Sequence, residues 1–399
     1  MSFLLQRLKG GLQDRAQQQL YRRRKSLSSP QGALISVDGK SLLNFSSNDY
    51  LGLANHPDLA HRANVSLKRF GFGAGASHLV SGHSDLHREL EEFLARLTGR
   101  DRALLFPSGF AANLAVQQVL LRKGDAVFHD RLNHASLLDG AQLSGARLLR
   151  FAHNDLAHLN QRLKGADAEG KLIAVDAVYS MDGDLAPLAE LANIAEREGA
   201  LLMADDAHGF GVLGKNGAGS AEYWGLDQQQ LPILMGTLGK AIGSYGAFIA
   251  GSEALIEGLI QFARPYIYTT ALPASVAAAS LAGLELLQKE PERRTKLHSL
   301  VAYFREAADE LNLPLMSSDT AIQPLLLGSS ENALKVAEAI AAQGIYVPAI
   351  RPPTVPVNSA RLRITITADH EIEHIDRLLD ALAEQLSRIN KVVDDEYAQ

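Results

Sequence analysis

The chain has 399 residues, of which 46% are hydrophobic and 21% charged, with a formal net charge of -6 and no cysteine. That length supports a large buried core with room for a second, smaller domain. The weakly acidic balance argues against a wholesale nucleic-acid binder, and the missing thiol excludes disulfides, cysteine nucleophiles and Cys-ligated zinc.

Residues 1–45 read as an amphipathic arm followed by a small hairpin. Met1 to Arg7 has neither the long apolar core nor the cleavage pattern of a signal peptide, and no stretch reaches the length and apolarity of a membrane span, so the cytoplasm is the expected location. Tyr21-Arg22-Arg23-Arg24-Lys25 is the one strongly basic cluster. It reads as a solvated face near a mobile terminus, with contact to an anionic substrate as the functional alternative. Asp38-Gly39, between the apolar runs 33–37 and 42–45, is a strong turn signal.

Gly71-Phe72-Gly73-Ala74-Gly75-Ala76 nominally matches a dinucleotide fingerprint. The preceding residues, Asn64 to Phe70, do not form a buried strand, so the expected role is a glycine loop that lets a ligand or a partner chain approach closely. His83 and His87 flank Ser84-Asp85-Leu86 rather than a zinc-binding pattern, and read as histidines at a helix start.

From about 85 to 285, helical stretches alternate with short apolar runs at 103–106, 126–128, 146–149, 172–175, 200–204, 233–235 and 246–250. Their side chains do not alternate with polar ones, as burial on both faces requires. The expected fold class is α/β, a mostly parallel seven-stranded sheet between helices. The large domain is expected over 46–287 and a smaller α+β domain over 288–399. In the latter, 321–327 and 362–366 read as strands, and Ile372, Ile375, Leu379, Leu382 and Leu386 trace one side of a terminal helix. Val392 to Gln399 is polar and expected to fray.

The chemistry gathers at the ends of these runs. Ser108-Gly109-Phe110 follows one strand and opens a helical stretch, whose N–H groups can hold a phosphate dianion. His134 reads equally as a core or capping histidine and as a ring stacked on a pyridine. Asp205-Asp206-Ala207-His208-Gly209 and Gly236-Thr237-Leu238-Gly239-Lys240 each follow an apolar run. A carboxylate, an imidazole and a lone lysine thus reach the carboxyl edge of the sheet, where ligands bind. Pyridoxal phosphate (PLP) needs an amine for its aldehyde, a carboxylate for its ring nitrogen and a donor near its phenolic oxygen. Thr237 adds a hydroxyl suited to the phosphate. These residues read as a PLP enzyme with no metal.

Several landmarks between Asn44 and His370 together resemble the α-oxoamine synthase family of fold-type-I PLP-dependent transferases. They are Asn48-Asp49-Tyr50-Leu51-Gly52-Leu53, 71–82, 108–113, 130–138, Ser180-Met181-Asp182-Gly183, 205–209, 236–240, 351–356 and Arg361-Leu362-Arg363. The resemblance implies that Lys240 carries the cofactor, Asp205 pairs with its pyridine nitrogen and His208 donates to its phenolic oxygen. His134 would lie over the ring, with Ser180 close by. Gly109, Phe110 and Thr237 would hold the phosphate together with Thr270 of the partner subunit, in a homodimer. Arg361 would grip the amino-acid carboxylate, Asn48 would sit in the substrate-side loop, and Arg22 on the acyl-chain side. The implied activity is a decarboxylative, Claisen-type condensation of an amino acid with an acyl thioester. The 130–138 stretch and the basic arm resemble the branch that takes L-alanine and a pimeloyl thioester, of coenzyme A or of an acyl-carrier protein. The alternative is a member of the 2-amino-3-ketobutyrate CoA ligase, 5-aminolevulinate synthase or serine palmitoyltransferase type. The chain departs from the family at Asn358 (commonly glycine), Asp206 (frequently glutamate) and Gly239 (serine in many relatives).

Overall fold

The structure, a computed structural model, describes residues 2–18, 20–22 and 24–397, and only the backbone over 389–397. Its strands are β1 (Leu34–Val37), β2 (Lys40–Asn44), β3 (Arg102–Phe106), β4 (Ala126–Asp130), β5 (Arg147–Phe151), β6 (Lys171–Asp176), β7 (Leu201–Asp205), β8 (Ile233–Thr237), β9 (Ala247–Gly251), β10 (Ile322–Gly328), β11 (Ile345–Tyr346), β12 (Ala349–Ile350) and β13 (Ala360–Thr365). Two compact units emerge: residues 48–180 with 184–296, and the described residues of 1–47, 181–183 and 297–399. The amino-terminal segment therefore groups with the carboxyl-terminal residues rather than standing alone.

The first unit holds a seven-stranded sheet in the order β3-β9-β8-β7-β6-β4-β5. Pairs from β5 through β8 are parallel, while β9 runs antiparallel to both β3 and β8. Successive side chains of a strand point to opposite faces, and here each face has its own core. Ile173, Val175, Leu202, Ala204 and Leu234 enter one core, and Leu172, Ala174, Met203, Ile233 and Met235 the other. Covering both faces removes the apolar–polar alternation of a half-exposed strand, which is why the seven runs read as continuous. The edge strand β5 keeps exposed positions at Arg147 and Arg150, and β7 is exposed only at its first residue, Leu201.

Local chemistry sets the helix ends. The helix Asp85–Thr98 starts in a capping box, in which the Ser84 N–H donates to His87 Nδ1 at 2.9 Å. His87 Nε2 lies 2.7 Å from Leu272 O, and His83 Nδ1 lies 2.9 Å from His78 Nδ1, the helix-start arrangement expected of this pair. The helix Pro57–Phe70 stops at Gly71 with φ 74. A Cβ at Gly71, Gly73 or Gly75 would meet nothing within 4 Å, so the described chain leaves space beside this loop.

In the second unit, β1 and β2 form a hairpin turning on Asp38 (φ 50) and Gly39 (φ 78), and β2 pairs in parallel with β11. A separate sheet has the order β10-β13-β12. Phe45 stacks on His370 with centroids 4.2 Å apart, and His370 Nε2 lies 2.9 Å from Asn44 O. The arm is a helix, Phe3–Gln17, with no buried residue, so the apolar side of this amphipathic element stays exposed. In the terminal helix Ile372–Tyr397, Ile375, Leu379 and Leu382 are buried as expected. Ile372, expected on the same side, is 50% exposed because it is the first helical residue. The helix also runs through 392–397, where fraying was expected; Ala398 and Gln399 lie outside the described residues.

Candidate active site

The carboxyl ends of β4, β6, β7 and β8 bring Asp130, Asp176, Asp205 and Thr237 to one edge of the large sheet. Just beyond β8, the Lys240 amine lies 2.7 Å from His208 Nε2, and the opposite ring nitrogen, Nδ1, lies 2.6 Å from the Tyr50 hydroxyl. Asp205, 5% exposed, accepts from Asn113 Nδ2 at 2.7 Å and from the Ala207 N–H at 3.1 Å. Asn113 Nδ2 also donates to Ser136 Oγ at 2.8 Å. His134 caps the helix Ala135–Ser144, its Nδ1 2.7 Å from Ser136 Oγ. Its backbone N–H donates to Asp176 Oδ2 at 3.1 Å and Oδ1 at 3.2 Å. The ring meets Phe110 edge-on, with centroids 6.4 Å apart.

Gly109, Phe110, His134, Ser180, Asp205, His208, Thr237 and Lys240 line a single cavity of about 200 Å³. The helix Gly109–Leu120 starts at that cavity, capped by Ser108 Oγ, which accepts from the Ala111 N–H at 3.2 Å. Its first N–H groups have no partner inside the helix, and the positive end of its dipole favours an anion there. Thr237 donates its hydroxyl to Gly246 O at 2.9 Å and accepts from the Gly239 N–H at 3.3 Å.

Asp176 and Asp205 are register partners on adjacent parallel strands. Burial, and then the charge of Asp205, hold the Asp176 carboxyl well above the usual carboxylate range. These surroundings favour the neutral acid at Asp176. Asp206 is fully buried behind the site; burial pushes it up to about 7, although Ser220 donates to it from both backbone and hydroxyl.

Other residues singled out from the sequence lie elsewhere. Asn48 and Thr270 belong to the same unit but not to the cavity lining; Asn48 Oδ1 lies 3.3 Å from the Tyr50 hydroxyl, and Thr270 forms a bridge with Ser77. Arg22 and Arg361 belong to the second unit. There Arg22 donates to Thr354 Oγ1 at 3.2 Å on a groove of about 860 Å³ that Lys25 and Arg351 also line. Arg23 of the basic run lies outside the described residues. Arg361, 4% exposed, pairs with Asp182 and donates Nε to Ser359 O at 3.0 Å. Asn358 has φ 62, so it occupies the left-handed region that favours glycine and that asparagine tolerates. Sequence reasoning missed the supporting residues Tyr50, Asn113, Ser136 and Asp176. Of these, only Asp176 carried a usable signal, a polar residue closing an apolar run.

The family described as aminotransferase class I and II matches residues 40–382. An 8-amino-7-oxononanoate synthase of Cellvibrio japonicus (strain Ueda107) is 57% identical over 396 residues, covering 99% of this chain and 100% of that one. Among solved structures, a serine palmitoyltransferase with PLP superposes at a TM-score of 0.92 with 29% identity, covering 98% of this chain and 100% of its own. An 8-amino-7-oxononanoate synthase from Francisella tularensis superposes at 0.77 with 32% identity, covering 88% and 99%.

Proposed function

The chain belongs to the 8-amino-7-oxononanoate synthases of the class I and II aminotransferase family, and on that premise we propose the substrates and the part each residue plays. The enzyme is PLP-dependent. It condenses L-alanine with a pimeloyl thioester, of coenzyme A or acyl-carrier protein. The new C–C bond forms as the thiol leaves, and loss of CO2 yields 8-amino-7-oxononanoate for biotin synthesis. The observation that carries the reading is the cavity that gathers eight residues from five separated segments around one amine.

The donor set fits PLP: an amine, an imidazole, a buried carboxylate, a hydroxyl and the start of a 12-residue helix meet at one cavity. Lys240 would anchor the cofactor, the helix start and Thr237 would hold its phosphate, and Asp205 and His208 would serve its ring nitrogen and phenolic oxygen. When bound, PLP supplies an electron sink for the charge left on the amino-acid α-carbon. Lys240 Nζ takes the α-proton and later returns one. Asp205, fixed by Asn113 and Ala207, keeps a proton on the ring nitrogen. Ser136 and Asp176 fix His134, which polarises the thioester carbonyl.

The resemblance assigns the amino-acid carboxylate to Arg361, yet that guanidinium already serves Asp182. Arg363 follows two residues later on the same face of β13 and donates to Thr365 Oγ1 at 2.9 Å. We assign the grip to this arginine face. Arg361→Met and Arg363→Met separate the two: the anchor is the one whose loss raises the KM for L-alanine.

We also propose a cytoplasmic homodimer. Among the described residues no helix is long and apolar enough to cross a membrane. Phe72, Val80 and Tyr268 are 82%, 78% and 71% exposed on segments joined by the Ser77–Thr270 bridge, an apolar surface suited to a second copy. Sedimentation equilibrium tests the dimer. The activity test offers L-alanine, glycine and L-serine with pimeloyl, acetyl, succinyl and palmitoyl thioesters, and identifies products by mass. A dominant 8-amino-7-oxononanoate product is expected; another amino ketone would move the enzyme to a sister branch.

A further inference from the structure

We propose that Tyr50 is a positioning residue that fixes the tautomer of His208, so that His208 donates from Nε2 into the cavity. The loop carrying Tyr50 is tightly built: the Asp49 carboxylate accepts from the Leu53 and Ala54 N–H groups at 2.9 and 3.0 Å, and Tyr50 is 1% exposed. Its hydroxyl has one proton and faces His208 Nδ1 at 2.6 Å and Asn48 Oδ1 at 3.3 Å. Hydroxyl donors reach acceptors at about 2.5–3.0 Å and N–H donors reach oxygen at about 2.7–3.2 Å. The short contact therefore has the length of O–H donating to nitrogen, and the long one lies outside the hydroxyl range. With Nδ1 accepting, the proton of a neutral imidazole resides on Nε2.

Nε2 is the atom that faces Lys240 Nζ at 2.7 Å. A histidine fixed in this form donates to whichever acceptor stands on that side: the phenolic oxygen once PLP is bound, and Nζ only while that amine is neutral, since an ammonium has no lone pair. The opposite tautomer would present a bare lone pair to that oxygen and repel it. The second half of this argument rests on the assignment of His208 under the proposed function; the tautomer itself does not.

The test is ¹⁵N NMR of histidine-labelled full-length protein, stripped of PLP and reloaded, with His208→Gln used only to assign the resonance. The expected wild-type pattern is an unprotonated Nδ1 and a protonated Nε2 in both forms, the stripped form being taken at a pH where the Lys240 amine is neutral. In Tyr50→Phe, which keeps the buried ring, the two nitrogens should move toward a tautomer average. The pH midpoint of the PLP absorbance band should shift by about one unit, the scale of one lost hydrogen bond. A protonated Nδ1 in the wild type overturns the proposal whether or not the variant folds. So does a folded Tyr50→Phe protein with unchanged nitrogen shifts and an unchanged midpoint. If the tautomer is as expected but PLP does not bind, the proposed function fails and the role of Tyr50 stands.

Discussion

Gly243→Ala is expected to destabilise the protein far more than the same change four residues earlier, at Gly239. Gly243 has φ +69, and its N–H donates to Lys240 O at 2.9 Å, closing the turn that carries the lysine. An L-residue in that region costs about 1–2 kcal/mol. A Cβ there would lie 2.4 Å from Leu53 C and 2.5 Å from Ala54 N. Those are backbone atoms of the loop pinned by Asp49, so the neighbour has little room to yield, and overpacking adds about 1–3 kcal/mol. The expected loss is therefore roughly 2–5 kcal/mol. At Gly239 the nearest atom to a new Cβ is Ser244 O at 3.7 Å, an ordinary contact, so alanine should cost no more than about 0.5 kcal/mol there. Urea unfolding of both variants and the parent, at equal PLP loading, measures the difference as a shift in midpoint at constant slope. If Gly243→Ala unfolds within about 0.5 kcal/mol of Gly239→Ala, the inferred close approach of the two loops is wrong.

The paired carboxyls should respond asymmetrically: Asp176→Asn resembles the neutral acid and should keep most activity, whereas Asp205→Asn should lose at least about 100-fold in kcat. Comparable losses in steady-state assays of the two variants would contradict the neutral-acid reading of Asp176. Burial alone would lower His153, but hydrogen bonds to the Asp130 and Asp184 carboxylates overcome it and push it up to about 10, from 6.5. A raised folded-state value stabilises the fold fully below 6.5 and less as the pH climbs through 10. His153→Gln should therefore cost most at pH 6 and little near pH 11, as measured by denaturation across pH; a pH-independent cost would rule the linkage out. Arg361→Met should cost about 3–5 kcal/mol in urea unfolding because it strands the largely buried Asp182 carboxylate. The double variant with Asp182→Leu should recover much of that loss, and strict additivity would show that the pair does not act as a unit.

How much of this was legible in the sequence depended on whether the cause was local. The seven strands read correctly because their two covered faces leave unbroken apolar runs. Asp205, His208 and Lys240 read as a set because each follows such a run within a few residues. Their supports did not, because Asn113 meets Asp205 across 92 positions and Tyr50 meets His208 across 158; nothing short of the fold brings them together. The terminal helix failed in the opposite direction. Composition suggested fraying after Val392, but no glycine or proline interrupts Ile372–Tyr397, and a helix nucleated on a buried face propagates at little further cost. The glycines after Phe70 signalled close approach by a ligand or a partner chain; among the described residues Gly71 and Gly75 take positive φ and nothing crowds the loop.

The reversed direction of β9 has a consequence for how the lysine is tethered. In a parallel sheet, a loop leaving a strand's carboxyl end passes to a helix and is fastened to the sheet at one end only. Here Thr237 and Ala247 are register partners, and the Leu238 N–H donates to Gly246 O at 2.9 Å, so the excursion carrying Lys240 leaves and re-enters the sheet at the same rung. Lys240 therefore sits on a closed bight of chain, and each end of that bight is part of the ladder. A circular permutant opened between Gly243 and Ser244 would keep β8 and β9 paired while turning that bight into a loose end. Such a molecule would retain the bulk of its stability and lose the fixed address of its amine.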